Sequence, residues 1–420
     1  MGENKPQWGR FFSFFALVLC TLVLLNIGPK QTRTNSVNGW RYFYEELPEN
    51  SVDIVFLGSS HAQCTFIPEI INAVLGVDSI NLISPSETIH QTKLEYQEVL
   101  AYQNPSAVII EPYVIYGGRG QDNLQPFQYG FFDSMPPSLK KTRYLVDFFS
   151  FNNLLNYYFP FLAEHTAWKT PGKSIKDAIG AWKGEETPIG FGGKGYYLLT
   201  APLLPEDVET DSPAENPVCF TPDLDARLAS VEAILKIDAQ EPSSLFFIEA
   251  PTYTDRYQAC RAQTSSLLAE YEKLYFTLLK NKAPSALWFH DETHMTQFGA
   301  VIASLETARL LSEELGFAIN QDALAFYERY QFKDYSLERK GKDLQISLMP
   351  FNEALSKDLN YQWQVLKQGN SIYEEVVHGS SVFTFTLPDS SKPYLVKVTI
   401  SSAAGAYGYE LEGEFVVKGS

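Results

Sequence analysis

Basic side chains are in short supply: 33 lysines and arginines stand against 50 aspartates and glutamates, a net charge of −17, with no long basic run or stripe. Binding along a nucleic-acid backbone needs a cationic face, so that class of partner is excluded. Cysteine is scarcer still, and four in 420 residues do not make a disulfide scaffold. Cys219 and Cys260 flank one helix–strand unit, placed either to pair outside the cell or to lie as buried thiols. Cys64 lies on an apolar stretch, where packing is its ordinary role. Histidine numbers only six, and His90 and His290 form no convincing ligand set with the carboxylates present. No metal and no cofactor are expected. Long hydrophobic runs are also rare. Phe11 to Ile27, "FFSFFALVLCTLVLLNI", has 17 residues, the short end of what spans a bilayer. The following "LLNIGPKQTR" offers no small-x-small cleavage site, so the run reads as an uncleaved N-terminal transmembrane helix. Residues 1–28 are then a cytoplasmic tail and membrane anchor, with the bulk of the chain extracellular.

What is present is apolar enough for a large core, at 45% hydrophobic and 14% aromatic. After a polar linker at 29–50, apolar runs alternate with helical patterns. Strands are expected at 52–57, 78–83, 106–116, 243–251 and 285–289. Between them lie "IPEIINAVLG", "TIHQTKLEYQEVLAYQ", "TPDLDARLASVEAILKI" and "SSLLAEYEKLYFTLLKNK", and "MTQFGAVIASLETARLLSEELG" follows the last strand. Each reads as a helix. Strands apolar on both faces and alternating with helices imply an α/β fold with a doubly wound parallel sheet. Residues 51–330 form this domain, interrupted by a long aromatic insertion at 117–220. From 334 to 420 the pattern becomes short alternating runs such as "YQWQVLKQ" and "YLVKVTIS". That is an all-β sandwich of immunoglobulin-like or fibronectin-like size, with Trp363 in its core.

The first strand ends in Gly58-Ser59-Ser60-His61. The C-terminal end of a core strand is where open α/β sheets place their chemistry, so Ser59 and Ser60 are both candidate nucleophiles. A serine is inert without a base. "FHDETHMTQFG" follows the fifth expected strand, which brings Asp291 and His294 to the same sheet edge. A carboxylate three residues before an imidazole can hold one ring nitrogen while the other faces a serine.

Gly-x-Ser after the first strand and Asp-x-x-His after the last resemble the SGNH (GDSL-like) hydrolase superfamily, over roughly residues 50–316 without the insertion. On that pattern Ser60 is the nucleophile, Ser59 replaces the family's aspartate, and Asp291 and His294 complete the triad. The resemblance implies a flavodoxin-like sheet of five strands in the order 2-1-3-4-5, and acyl-ester chemistry through an acyl-serine. More narrowly, the chain resembles membrane-anchored relatives that acylate surface polymers, as in alginate and peptidoglycan O-acetylation and teichoic-acid D-alanylation. That likeness implies an extracytoplasmic O-acyltransferase with a polysaccharide acceptor, fed by a multi-pass membrane-bound O-acyltransferase. Two departures stand out. "INLISPSE" has Ile83 and Ser84 where the family's second block has its oxyanion glycine, and the Gly-x-Asn-Asp block is absent. Ser84 and Ser86 are the nearest replacements for the oxyanion donors. His61 reads as structural or as a pocket wall, and Glu111, inside an apolar strand, as facing the cleft or pairing with a cation. His165 with Trp168 reads either as lining the acceptor groove or as insertion core. An esterase on the same triad and a catalytically silent surface scaffold are the alternative functions.

Overall fold

The computed structural model describes residues 12–18, 20–21, 38–117, 129–159, 191–192, 194–203, 223–241, 243–254, 258–388, 393–402 and 407–417. Two compact units divide the chain. One comprises Met1–Glu46 and Gly120–Ile189, the other Leu47–Arg119 and Gly190–Ser420. In the first unit, helices α1 (Asn38–Glu45), α6 (Gly130–Ser134), α7 (Leu139–Phe148) and α8 (Phe151–Tyr158) gather around aromatic rings. Trp40 meets Phe131 edge-on at 4.7 Å, and Phe149 stacks on Tyr157 at 5.8 Å.

The second unit holds a five-stranded parallel sheet. Its strands are β1 (Ile54–Gly58), β2 (Ser79–Ile83), β3 (Ala107–Ile110), β6 (Ser244–Glu249) and β7 (Tyr275–Thr277). Two-residue strands β4 (Phe191–Gly192) and β5 (Tyr196–Tyr197) form a separate hairpin, so the sheet order is β2-β1-β3-β6-β7. The continuous apolar runs follow from burial on both faces. Ile54 and Phe56 of β1 join the large core cluster that also contains α3 (Pro68–Leu75) and α11 (Gln297–Leu315). Their neighbours Val55 and Leu57 are equally buried but point the other way. There α4 (Ile89–Tyr102) packs on β1 and on α9 (Leu224–Asp238).

Two expectations for the fold are corrected. First, among the described residues no helix is long and apolar enough to cross a membrane, so the N-terminal transmembrane helix is overturned. The helical residues described in that run are 12–18 and 20–21. Second, the fifth strand is Tyr275–Thr277 rather than 285–289. Helix α10 (Gln258–Glu270) stops early, with Glu272 in the left-handed region at φ 56°. The β-favouring Tyr275-Phe276-Thr277 then pairs with β6. Residues 286–288 instead form a 3-10 turn whose start is capped by Ser285 Oγ, accepting from Leu287 N–H at 3.1 Å. The third strand is likewise short, because Pro112 follows Glu111 and opens a helical turn, α5 (Tyr113–Tyr116).

Seven antiparallel strands follow α12 (Gln321–Glu328). β8 (Phe332–Lys340), β9 (Asp343–Pro350) and β12 (Val382–Thr386) form one sheet in the order β12-β9-β8. β10 (Leu359–Lys367), β11 (Asn370–His378), β13 (Tyr394–Ser402) and β14 (Glu410–Val417) form the other, in the order β11-β10-β13-β14. Fully buried Trp363 stacks on Phe383 of the facing sheet at 4.9 Å. This module shares its core with the parallel sheet. Gln297, the first residue of α11, donates through Nε2 to Tyr409 Oη (3.0 Å) and to the carbonyl of Glu410 (2.9 Å). Its Oε1 accepts from Glu412 N–H at 2.7 Å.

Candidate active site

The site begins at a glycine that no other residue can replace without strain. Gly58, the last residue of β1, has φ 155°, and a Cβ there would lie 2.9 Å from Ala62 Cβ and 3.1 Å from Glu111 Cβ. The chain turns through Ser59 into the short helix α2 (Ser60–Gln63). Ser59 is the N-cap, its Oγ accepting from His61 N–H at 3.4 Å, which leaves Ser60 as the first helical residue. Of the two candidate serines, only Ser60 has its hydroxyl against a base.

That base comes from the far end of the domain sequence. Phe289 and Met295 form an isolated antiparallel bridge, and His290 N–H donates to the His294 carbonyl at 2.8 Å. The closed loop so formed carries Asp291 and His294. Asp291 Oδ1 accepts from Thr293 N–H (2.8 Å), Thr293 Oγ1 (3.1 Å) and His294 N–H (2.9 Å), which folds the carboxylate back over its own turn. His294 Nδ1 lies 2.8 Å from Asp291 Oδ2 and 3.0 Å from Oδ1, and Nε2 lies 2.8 Å from Ser60 Oγ. A carboxylate only accepts, so Nδ1 carries the proton, and Nε2 is left to receive the Ser60 hydroxyl. The structure therefore brings Ser60, His294 and Asp291 into one hydrogen-bonded line.

Burial alone would raise the Asp291 pKa, but the hydrogen bond and charge of His294, with the N–H groups of Thr293 and His294, outweigh it. The carboxyl is held well below the usual carboxylate range and stays ionised. The His294 side chain is 28% exposed and that of Asp291 50%, so the line is open to solvent and to a substrate. Cys64, beside α2, does not compete as a nucleophile. Burial pushes its thiol far up, and the Asp291 charge adds to the effect.

The remaining predicted residues separate. Ser84 is fully buried, and its donors are already used: N–H goes to Glu87 Oε2 (3.1 Å) and Oγ to Glu95 Oε1 (3.4 Å). It does not face Ser60 as an oxyanion donor. Burial, with the neighbouring Glu95 charge, raises the Glu87 carboxyl well above its ordinary value. Ser86 lies on the same loop in the left-handed region, at φ 56°. His61 and Glu111 are both buried, with His61 Nδ1 and Glu111 Oε1 3.2 Å apart. His165 and Trp168 lie outside the described residues, as does Cys219; Cys260 is disulfide-bonded, while Cys20 and Cys64 are free.

Sequence reading missed the residues around β6. Fully buried Glu249, at that strand's end, accepts from Tyr116 Oη (2.5 Å), Tyr275 Oη (3.0 Å), Thr277 Oγ1 (3.1 Å) and Arg261 Nε. The signal for it was available: a glutamate closing the apolar run "SSLFFIEAP". Beyond it a groove of about 450 Å³ is lined by Thr252, Tyr253, Lys280, Trp288 and Phe289 among others. Tyr253 N–H donates to the Glu292 carbonyl at 2.9 Å, joining the groove wall to the loop that holds Asp291 and His294.

No known family model and no curated protein matches the chain. Solved structures give faint likenesses. The extracellular region of rat CD45, domains d3–d4, is 12% identical over 20% of this chain and 46% of that chain, less than half its length, with a TM-score of 0.16. A gut microbial diltiazem-metabolizing enzyme is 12% identical over 78% and 70%, with a TM-score of 0.23. A Cellulomonas fimi endo-beta-1,4-mannanase double mutant is 11% identical over 92% and 99%, with a TM-score of 0.15. None is near enough to carry an argument about this chain's activity.

Proposed function

We propose that the chain transfers acyl groups from an ester to an oxygen acceptor through an acyl-Ser60 intermediate. The observation that carries the reading is the unbroken line from Ser60 Oγ through His294 Nε2 and Nδ1 to Asp291. In the first half-reaction Ser60 Oγ attacks the ester carbonyl as its proton passes to His294 Nε2. Ionised Asp291 stabilises the imidazolium and holds its orientation. The tetrahedral adduct collapses, the C–O bond to the leaving alcohol breaks, and His294 returns the proton to that alcohol. An acceptor hydroxyl then repeats the sequence on acyl-Ser60 and regenerates the serine. The N–H of Ser60 at the start of α2 is the one oxyanion donor that travels with the nucleophile.

A sugar hydroxyl is the acceptor we favour. The partly exposed Tyr253 ring beside the loop suits a sugar face, with Thr252 and Lys280 to meet its polar edges. The Cys260 disulfide suits an oxidising, extracytoplasmic setting for this chemistry. Hydrolysis is the second reading, because Ser60 and His294 are themselves partly exposed, which gives water a route to the acyl-serine.

The test is intact-mass analysis of the chain mixed with an activated aryl acetate, with and without sugar oligomers, against Ser60→Ala. An acetyl adduct that requires Ser60 and discharges faster onto sugar is the expected result. Discharge to water alone would select the esterase. No adduct, with Ser60→Ala indistinguishable from the natural chain, would refute both and leave a binding protein.

A further inference from the structure

His61 follows the nucleophile, yet its side chain points away from the triad and is 1% exposed. Both of its ring nitrogens face oxygen acceptors. Nε2 lies 3.2 Å from the Pro251 carbonyl, on the loop after β6. Nδ1 lies 3.2 Å from Glu111 Oε1, an ion-pair distance outside hydrogen-bond alignment. Glu111 itself stands at the end of β3 with no exposed surface. It accepts from Tyr113 N–H at 3.2 Å through Oε2 and from Ala250 N–H at 3.4 Å through Oε1. The Tyr113 ring covers the other side of the imidazole, with centroids 4.7 Å apart. That ring is itself fixed by Gly117, where any Cβ would fall 2.2 Å from it.

One imidazole thus ties the serine turn at the end of β1 to the loop after β6 by a hydrogen bond and sets it at ion-pair distance from the carboxyl at the end of β3. A buried carboxylate is retained at a cost unless it is paired and hydrogen-bonded, and this one sits directly against the glycine that aims the turn. Resting on the acyl-serine reading above, we infer that His61 and Glu111 are positioning residues that hold Ser60 Oγ at the distance from which His294 Nε2 can take its proton. They touch neither substrate nor the reacting atoms, and act through the backbone of residues 58–61. The line from Ser60 to His294 spans elements 234 residues apart, so a turn free to shift by an ångström breaks it. Misplacement on that scale costs on the order of 10²-fold in rate.

The experiment uses the full chain with His61→Ala, His61→Gln and Glu111→Gln, reading two signals. One is the rate at which a fluorophosphonate probe modifies Ser60, followed by mass. The other is kcat and KM for an activated aryl acetate. In His61→Ala both the labelling rate and kcat are expected to fall about 10²-fold while KM stays within about threefold. His61→Gln, whose amide can still donate to the Pro251 carbonyl, is expected to recover part of that loss. Glu111→Gln keeps the volume and falls between them. Should His61→Ala not fold, the comparison of His61→Gln with Glu111→Gln carries the test, since both keep side-chain size. Unchanged labelling and kcat in folded variants would overturn the inference and reduce the pair to packing. A natural chain that the probe never labels at Ser60 would instead refute the acyl-serine reading itself.

Discussion

Replacing Asp291 by asparagine separates the role of its charge from its role in the turn. Oδ1 alone accepts the three bonds from Thr293 and His294 N–H that shape the loop, whereas Oδ2 serves only His294 Nδ1. In Asp291→Asn the amide oxygen keeps the Oδ1 position and the turn survives. The amide nitrogen then faces Nδ1 as a donor and forces the ring proton onto Nε2. A protonated Nε2 cannot take the Ser60 proton. An enzyme with a buried triad aspartate loses about 10⁴-fold from this change. Asp291 is 50% exposed, so its charge is partly screened, and a loss of about 10³-fold in kcat/KM is expected. Asp291→Ala should show the opposite balance. It loses the turn, but leaves Nδ1 free to donate to water, so the correct tautomer persists. Steady-state hydrolysis of an aryl acetate and urea unfolding, run on both variants, give two rankings. Activity is expected to fall in the order natural chain, Ala, Asn, and stability in the order natural chain, Asn, Ala. An asparagine variant within tenfold of the natural chain, or the same ranking in both assays, would refute the tautomer argument.

Three further outcomes follow from the same geometry. The Asp291 pKa is lowered in the folded state, so its contribution to stability is present above the unfolded value of about 3.9 and is lost as pH falls through the folded one. The stability gap between the natural chain and Asp291→Asn should therefore close below about pH 4 in acid titrations followed by circular dichroism, and a gap that widens there would contradict the assignment. Gly58→Ala should destabilise by about 1–3 kcal/mol in urea, because its Cβ meets those of Ala62 and Glu111, and should lower Ser60 acylation as well. Gln297→Ala leaves Glu412 N–H and the Glu410 carbonyl without their side-chain partner and should cost about 2–3 kcal/mol, read from the urea midpoint.

The sequence made some of this visible because the relevant interactions are local or periodic. β1, β2, β3 and β6 lie within apolar runs, since strands buried on both faces admit few polar residues. The Asp291–His294 pair was legible because a three-residue spacing closes within one loop. The fifth strand was not. Its three residues are only half-buried, while the Ala286-Leu287-Trp288 of "SALWF" is apolar and buried yet turns, and apolarity alone does not separate the two. The apolar run at 11–27 suggested a membrane span by composition, at a length already marginal for one. Ser84 was proposed by position in the chain, but the direction of its donors depends on Glu87 and Glu95 folding over it. Glu111 was conspicuous as a charged residue inside an apolar strand, but the Pro251 carbonyl that His61 meets lies 190 residues from that histidine. No pattern within a single stretch of chain encodes such a meeting.

The seam between α11 and β14 has a consequence for how this molecule can be divided. A Cβ at Gly413 would fall 2.7 Å from the Phe298 ring, and Gln297 beside it is bound to Tyr409, Glu410 and Glu412. The helix that begins three residues after His294 is thus seated on the last strand of the β module. Trp288, at the root of the same loop, donates its indole N–H to the Phe332 carbonyl at the start of β8. Cutting the chain near residue 330 would strip the triad loop of its footing and open Trp288, Phe298 and Phe332 to water together. The sandwich therefore serves less as an appendage than as a foundation. The two parts should melt in one calorimetric transition, and neither could be exchanged by recombination for a foreign neighbour without rebuilding the other.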